Sequence, residues 1–126
     1  MKKKEEMKEL CWVASSKDDL LSLPEKIVKE IGFALYQAQK TLKSDRAKPL
    51  KGFGGASVLE VVEIDENGTY RAVYTVKFKE AVFVLHVFQK KSKSGIATPK
   101  KEIDLVKSRL KQAEIMYKDL LRRKKQ

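Results

Sequence analysis

One cysteine, one histidine and three prolines are all that this 126-residue chain carries of those types. With Cys11 alone, no disulfide can close within the chain and no thiolate-based zinc cluster can assemble. A single histidine beside a single cysteine makes no dedicated transition-metal site, so neither metal nor cofactor is expected. Cys11 falls in the apolar run Leu10-Cys11-Trp12-Val13-Ala14, where a buried, inert thiol is expected. No stretch approaches the ~20 apolar residues of a membrane span. The start, Met1 to Glu9, mixes Lys and Glu and lacks the ~7–15-residue apolar core of a secretory signal. A soluble, cytoplasmic protein with no membrane partner is expected. Negative charge is also scarce: 17 Asp and Glu stand against 28 Lys and Arg, a net charge of +11. That excess points to a polyanionic partner. The hydrophobic content of 42% is too high for a disordered chain. The length suits one domain over 1–126, with a basic tail at 122–126 expected to fray.

Apolar spacing predicts an α+β protein in the order β-α-α-β-β-β-α. A short strand is expected over Glu9 to Ala14, then a helix start with Ser15 or Ser16 as cap. Pro24 suits the first turn of a longer helix. Its stripe Ile27, Ile31, Ala34, Leu35, Ala38 and Leu42 predicts an end near Lys43. Between Ser44 and Gly55, one proline and three glycines argue against a regular element. Three strands follow, over 58–64, 70–78 and 81–89. Asn67-Gly68 is expected at the tip of the first turn, and the short connections predict an antiparallel meander. Thr98 as cap and Pro99 in the first turn open a last helix with apolar positions Ile103, Val106, Leu110, Ala113, Tyr117 and Leu120.

Alternation along the strands suggests where chemistry sits. Arg71, Val73, Thr75 and Lys77 share one face, and Val82, Val84, His86 and Phe88 share one on the next strand. Arg71 and Lys77 are expected to flank a partly polar sheet face, with helices over the more apolar one. His86 either joins that polar face or is buried. Two basic clusters, Lys40 to Lys51 and Lys90 to Lys101, enter and leave the sheet. One reading sets both beside Arg71 around a concave, phosphate-tracking groove; the other makes them a solvated surface.

Several of these residues together resemble a known family. The run Leu50-Lys51-Gly52-Phe53-Gly54-Gly55, then Leu59-Glu60, Tyr70-Arg71 with Tyr74, and Leu85-His86-Val87-Phe88-Gln89-Lys90-Lys91 with Thr98-Pro99, is similar to HigB toxins. More narrowly, it resembles the phage-derived, gene-product-49-like branch of the RelE/ParE toxin superfamily. The resemblance implies a small fold of helices on a twisted antiparallel sheet. It also implies the toxin of a type II toxin–antitoxin pair, cutting messenger RNA on the ribosome without metal. Such cleavage needs a base for the 2′-hydroxyl, cations for the charged phosphorane and an acid for the departing 5′-oxygen. By position, Arg71 matches the sheet arginine that would bind the scissile phosphate, and Lys90 and Lys91 match the basic pair after the last strand. His86 is a further acid–base candidate. Lys51, Lys77 and Lys93 are candidates for RNA contact, and Phe88 for base stacking. Many relatives carry Glu-Leu-Arg on the second strand, where this chain reads Glu60-Val61-Val62, one cation fewer.

The implied partners are messenger RNA, the ribosome and an antitoxin, expected to be a helix-turn-helix DNA-binding protein. Two other readings stand beside the ribonuclease: a non-nuclease toxin of ParE type acting on DNA gyrase, and a non-catalytic RNA-binding module. The long last helix packs on the sheet, or its far end binds antitoxin or a second copy; the oligomeric state is open.

Overall fold

The structure is a computed structural model and describes residues 7–90 and 98–125. Short connections set the middle of its sheet. β3 (Val58–Asp65), β4 (Gly68–Thr75) and β5 (Ala81–Lys90) run antiparallel, as two- to five-residue turns require. Asp65 pairs with Gly68, so Glu66 and Asn67 form the tip instead of the expected Asn67-Gly68. The Asn67 amide donates to Asp65 Oδ1 at 2.8 Å, and Gly68 takes φ +144°, a conformation open to glycine.

Two further strands complete a five-stranded sheet in the order β1-β5-β4-β3-β2. β1 (Glu9–Trp12) lies parallel to β5, and β2 (Ala47–Pro49) lies antiparallel to β3 at the other edge. The α+β class and the helix order are as expected, but the sheet is mixed, not wholly antiparallel. Local turn signals govern β3 to β5; β1 reaches its place through two helices, so no turn dictates its direction. β2 corrects the expectation of an irregular 44–55 segment. A three-residue edge strand tolerates Pro49 because the outer side of an edge needs no ladder donor.

α1 (Ser16–Leu21) and α2 (Glu25–Gln39) cover one face. Ile27, Ile31, Ala34, Leu35 and Ala38 pack there on Val61, Tyr70, Ala72, Tyr74, Val82, Val84 and Val87. The helix stops four residues before Lys43, and Leu42, expected on its apolar stripe, is 57% exposed. Thr41, at φ +62°, turns the chain away.

α3 (Lys100–Lys124) covers the opposite face and is about 37 Å long at 1.5 Å per residue. Val106, Ala113 and Leu120 are buried on it, with Ile103, Leu110 and Tyr117 partly so, against Val73, Phe78, Phe83 and Leu85. These positions alternate steps of three and four, the narrow stripe of a helix lying along one seam. Thr98 does not cap this helix. Pro99 holds the cap position, and the Thr98 hydroxyl donates to Glu60 Oε2. Each sheet face therefore carries its own core. Among the described residues no helix is long and apolar enough to cross a membrane.

Candidate active site

A register shift in the sheet sets the site. Val73 pairs with His86 and Tyr74 with Val84, so Leu85 is an extra residue on β5. Such a bulge breaks the alternation. Unbroken alternation keeps His86 and Phe88 on the side of Val82 and Val84. Instead Val82, Val84 and Val87 face α2, whereas His86 and Phe88 stand opposite Val73 and Arg71 on the α3 side. The bulge brings His86, Phe88 and Arg71 onto one face.

Arg71 is buried, at 3% exposure. Its Nη1 donates to Glu60 Oε2 at 2.9 Å and to Thr98 Oγ1 at 3.3 Å. Thr98 donates to the same carboxylate oxygen, so the residue just before α3 is tied to the sheet through a buried ion pair. His86, at 7% exposure, lies between two residues of α3. Glu102 Oε1 is 2.7 Å from Nε2, and Arg109 Nη1 is 3.2 Å from Nδ1. A guanidinium only donates, so Nδ1 accepts and Nε2–H donates to the carboxylate. That is one neutral tautomer with both ring nitrogens engaged. Arg109 also donates to the Leu85 carbonyl at 3.0 Å, where the bulge presents it.

From His86 the face opens outward along β5. Phe88, half-buried, stacks on the imidazole with ring centroids 4.7 Å apart and planes 20° from parallel. Lys90, two residues further on the same face, is half-buried opposite Thr69. The expectation that this face is left open while helices cover the more apolar one is corrected. α3 lies over it, because Val73, Phe83 and Leu85 make it apolar enough to bury a helix.

Residues 18–111, about three-quarters of the chain, match the family described as phage derived protein Gp49-like (DUF891). The chain belongs to the Gp49-like family. The matched span of this Gp49-like protein takes in Glu60, Arg71, His86, Phe88, Lys90 and Arg109, but neither β1 nor the second half of α3. No curated protein matches it in sequence. Among solved structures it is similar to a chain of the Mycobacterium tuberculosis toxin–antitoxin complex RelBE2, at 17% identity and TM-score 0.46 over 72% of this chain and 100% of that one. It is also similar to the E. coli toxin RelE, solved in the free state with two arginines changed to alanine. There the identity is 20% and the TM-score 0.44, over 64% of this chain and 81% of that one.

The other candidate residues of this Gp49-like chain lie in different places. Lys51 is exposed in the glycine-containing loop, and neighbouring Gly52 approaches Ile103 at the start of α3. Lys77 lies beyond the opposite end of β4 from Arg71, pairs with Glu114 and sits 5.8 Å over the Phe78 ring. Lys91 and Lys93 fall outside the described residues. The 40–51 basic cluster divides: Lys48 stands in register opposite Glu60, the partner of Arg71, whereas Lys40 and Arg46 are engaged elsewhere. Lys40 sits over the Tyr36 ring at 5.4 Å, and Arg46 pairs at 2.7 Å with the buried Glu63 on the α2 side. Sequence reasoning missed Glu102 and Arg109 as site residues. Their seven-residue spacing, with Val106 between them, is the signal that would have put both on the inner side of α3. Among the described residues, no three or more His, Cys, Asp or Glu side chains are grouped to hold a metal ion.

Proposed function

We propose that this protein is the toxin of a type II toxin–antitoxin pair and cuts messenger RNA on the ribosome by attack of a 2′-hydroxyl on the adjacent phosphate. The observation that carries the reading is the row Arg71, Phe88 and Lys90 on one sheet face of a Gp49-like chain with a net charge of +11. In this reading the 2′-oxygen attacks phosphorus, the 5′-oxygen leaves, and a 2′,3′-cyclic phosphate remains. Lys90, at the outer end of the row, and Lys91, next to it in sequence, bind the phosphate and move the protons. The outer face of Phe88 extends its stack on His86 to a base. Arg71 stabilises charge on the phosphorane once a phosphate oxygen replaces the Thr98 hydroxyl as its acceptor. His86 positions Phe88, since both its nitrogens are held by Glu102 and Arg109. Lys51 and Lys93 bind RNA backbone in the same reading, and an antitoxin blocks the face or its access. Lys77, held by Glu114 near the middle of α3, is left to the RNA's periphery.

One observation favours a second reading. Arg71 and His86 are buried and hydrogen-bonded, as expected of groups that hold a helix on a sheet. A toxin that acts by binding alone, on gyrase or on RNA, leaves that network undisturbed. Primer extension on a message translated in a cell-free system separates the two. The ribonuclease reading predicts ribosome-dependent cuts that are lost in Lys90→Ala, at the outer end of the row, and in Lys91→Ala. Uncut message under conditions where the protein arrests growth supports the binding-only toxin.

A further inference from the structure

At the end of the sheet away from Arg71, a cleft of about 440 Å³ opens between the start of β1, the turn before β5 and the end of α3. Lys8, Lys79, Glu80 and Lys124 line it, together with Thr41. An adjoining cavity of about 270 Å³ shares Lys8 and Thr41, adds Lys43, and has an apolar wall of Leu42, Leu59 and Val76. Four ammonium groups against one carboxylate make the joined space strongly positive, and Glu80 is already engaged by Lys124 at 3.2 Å.

The walls are tied together. The Lys8 amide donates to Gln39 O and the Gln39 side-chain amide returns a bond to Lys8 O, both at 2.8 Å. Glu9 N donates to Glu80 O at 2.9 Å. Lys8 Nζ donates to Phe78 O at 2.8 Å, and burial lowers the pKa of this ammonium. Thr41, common to both cavities, holds φ +62°, a left-handed conformation costly for a β-branched residue. Strain of this kind persists where the surroundings over-determine it, and it clusters at binding sites. A preformed cationic chamber joined to an apolar one fits a ligand with the same division.

We propose that this cleft binds a nucleoside monophosphate group, its phosphate among Lys8, Lys43, Lys79 and Lys124 and its base against Leu42, Leu59 and Val76. The group comes either from a free nucleotide or from the phosphorylated end of an RNA strand. The site is independent of the Arg71 face. Met7, Lys8 and Lys124 lie outside the span that matches the Gp49-like family, so the cleft is built partly from segments beyond that match.

The test titrates the full chain with AMP, with a 5′-phosphorylated tetranucleotide and with inorganic phosphate, by calorimetry and by amide chemical-shift mapping. Lys43 and Lys79 are exposed, so Lys43→Gln/Lys79→Gln leaves folding intact, and Lys29→Gln on the outer side of α2 serves as control. The proposal predicts saturable binding of AMP or the tetranucleotide, tighter than that of phosphate, with shifts at Thr41, Lys8 and Val76. It also predicts weakening by about tenfold or more in the double variant, the scale of one charged hydrogen bond, and no change in the control. Preference for AMP identifies a free nucleotide; preference for the tetranucleotide identifies an RNA end. No saturable binding, equal affinity for phosphate, shifts confined to the Arg71 end, or full binding by the double variant would each overturn it.

Discussion

Replacing Glu60 by glutamine keeps the side chain's shape and removes its charge, which isolates what the carboxylate does. The Arg71 and Glu60 side chains are 4% and 13% exposed and meet at 2.9 Å. Water therefore cannot stand in for the lost counter-charge. Breaking a buried pair by removing one partner costs about 3–5 kcal/mol, and the partial exposure of Glu60 sets the expectation at the low end, about 3 kcal/mol. Thr98 loses its carboxylate acceptor in the same step, so the entry to α3 loosens with it. For a chain of this length about 1 kcal/mol corresponds to roughly 4 °C in Tm, so Glu60→Gln should melt about 12 °C lower. Urea unfolding followed through Trp12, the lone tryptophan, gives the free energy directly. Glu60→Met/Arg71→Met removes both charges and should recover a large part of the loss. Glu60→Gln within about 0.5 kcal/mol of wild type, the range of an ordinary surface change, would refute the buried pair as a determinant of stability.

The remaining predictions concern packing and pH. Val106 is fully buried at the α3 seam, whereas Ile115 is 64% exposed on the same helix. Val106→Ala should cost about 2 kcal/mol in urea unfolding and Ile115→Ala almost nothing; equal costs would mean that the seam is misplaced. Tyr74 is buried, its hydroxyl has no hydrogen-bond partner among the described residues, and burial pushes its pKa from 10.0 up to about 12. Its folded-state pKa is raised, so its contribution is fully present below pH 10 and is lost as the pH climbs from about 10 to about 12. The loss amounts to about 2–3 kcal/mol. Tyr74→Phe should leave stability at neutral pH unchanged or higher and flatten that alkaline decline in thermal melts; an unaltered decline would assign it to other groups.

Much of this architecture is legible in the chain because it is locally encoded. The α2 stripe from Ile27 to Ala38 and the α3 seam from Ile103 to Leu120 are periodic signals that tertiary packing then uses. The β3–β4 turn announces itself through Asn67-Gly68, though the tip shifts back by one residue. What is not legible depends on partners distant in sequence. The parallel seat of β1 on β5 follows from neither strand alone. The bulge at Leu85 leaves no mark in an unbroken apolar run, yet it decides which face His86 and Phe88 occupy. Arg71 is held by Glu60 and by Thr98, the latter distant in sequence, and a strand pattern with a charge at Arg71 reads equally well as an open polar face. The Lys8–Lys124 cleft joins the two ends of the chain, beyond the reach of any local pattern.

The chemistry of the cut ends tests the central claim most directly. A message translated in a cell-free system with this protein would be isolated and its new 3′ ends examined by mass spectrometry. The account predicts 2′,3′-cyclic phosphate ends that appear only with ribosomes present and vanish in Lys90→Ala. Uncut message, or cuts bearing 3′-hydroxyl and 5′-phosphate ends, would contradict it.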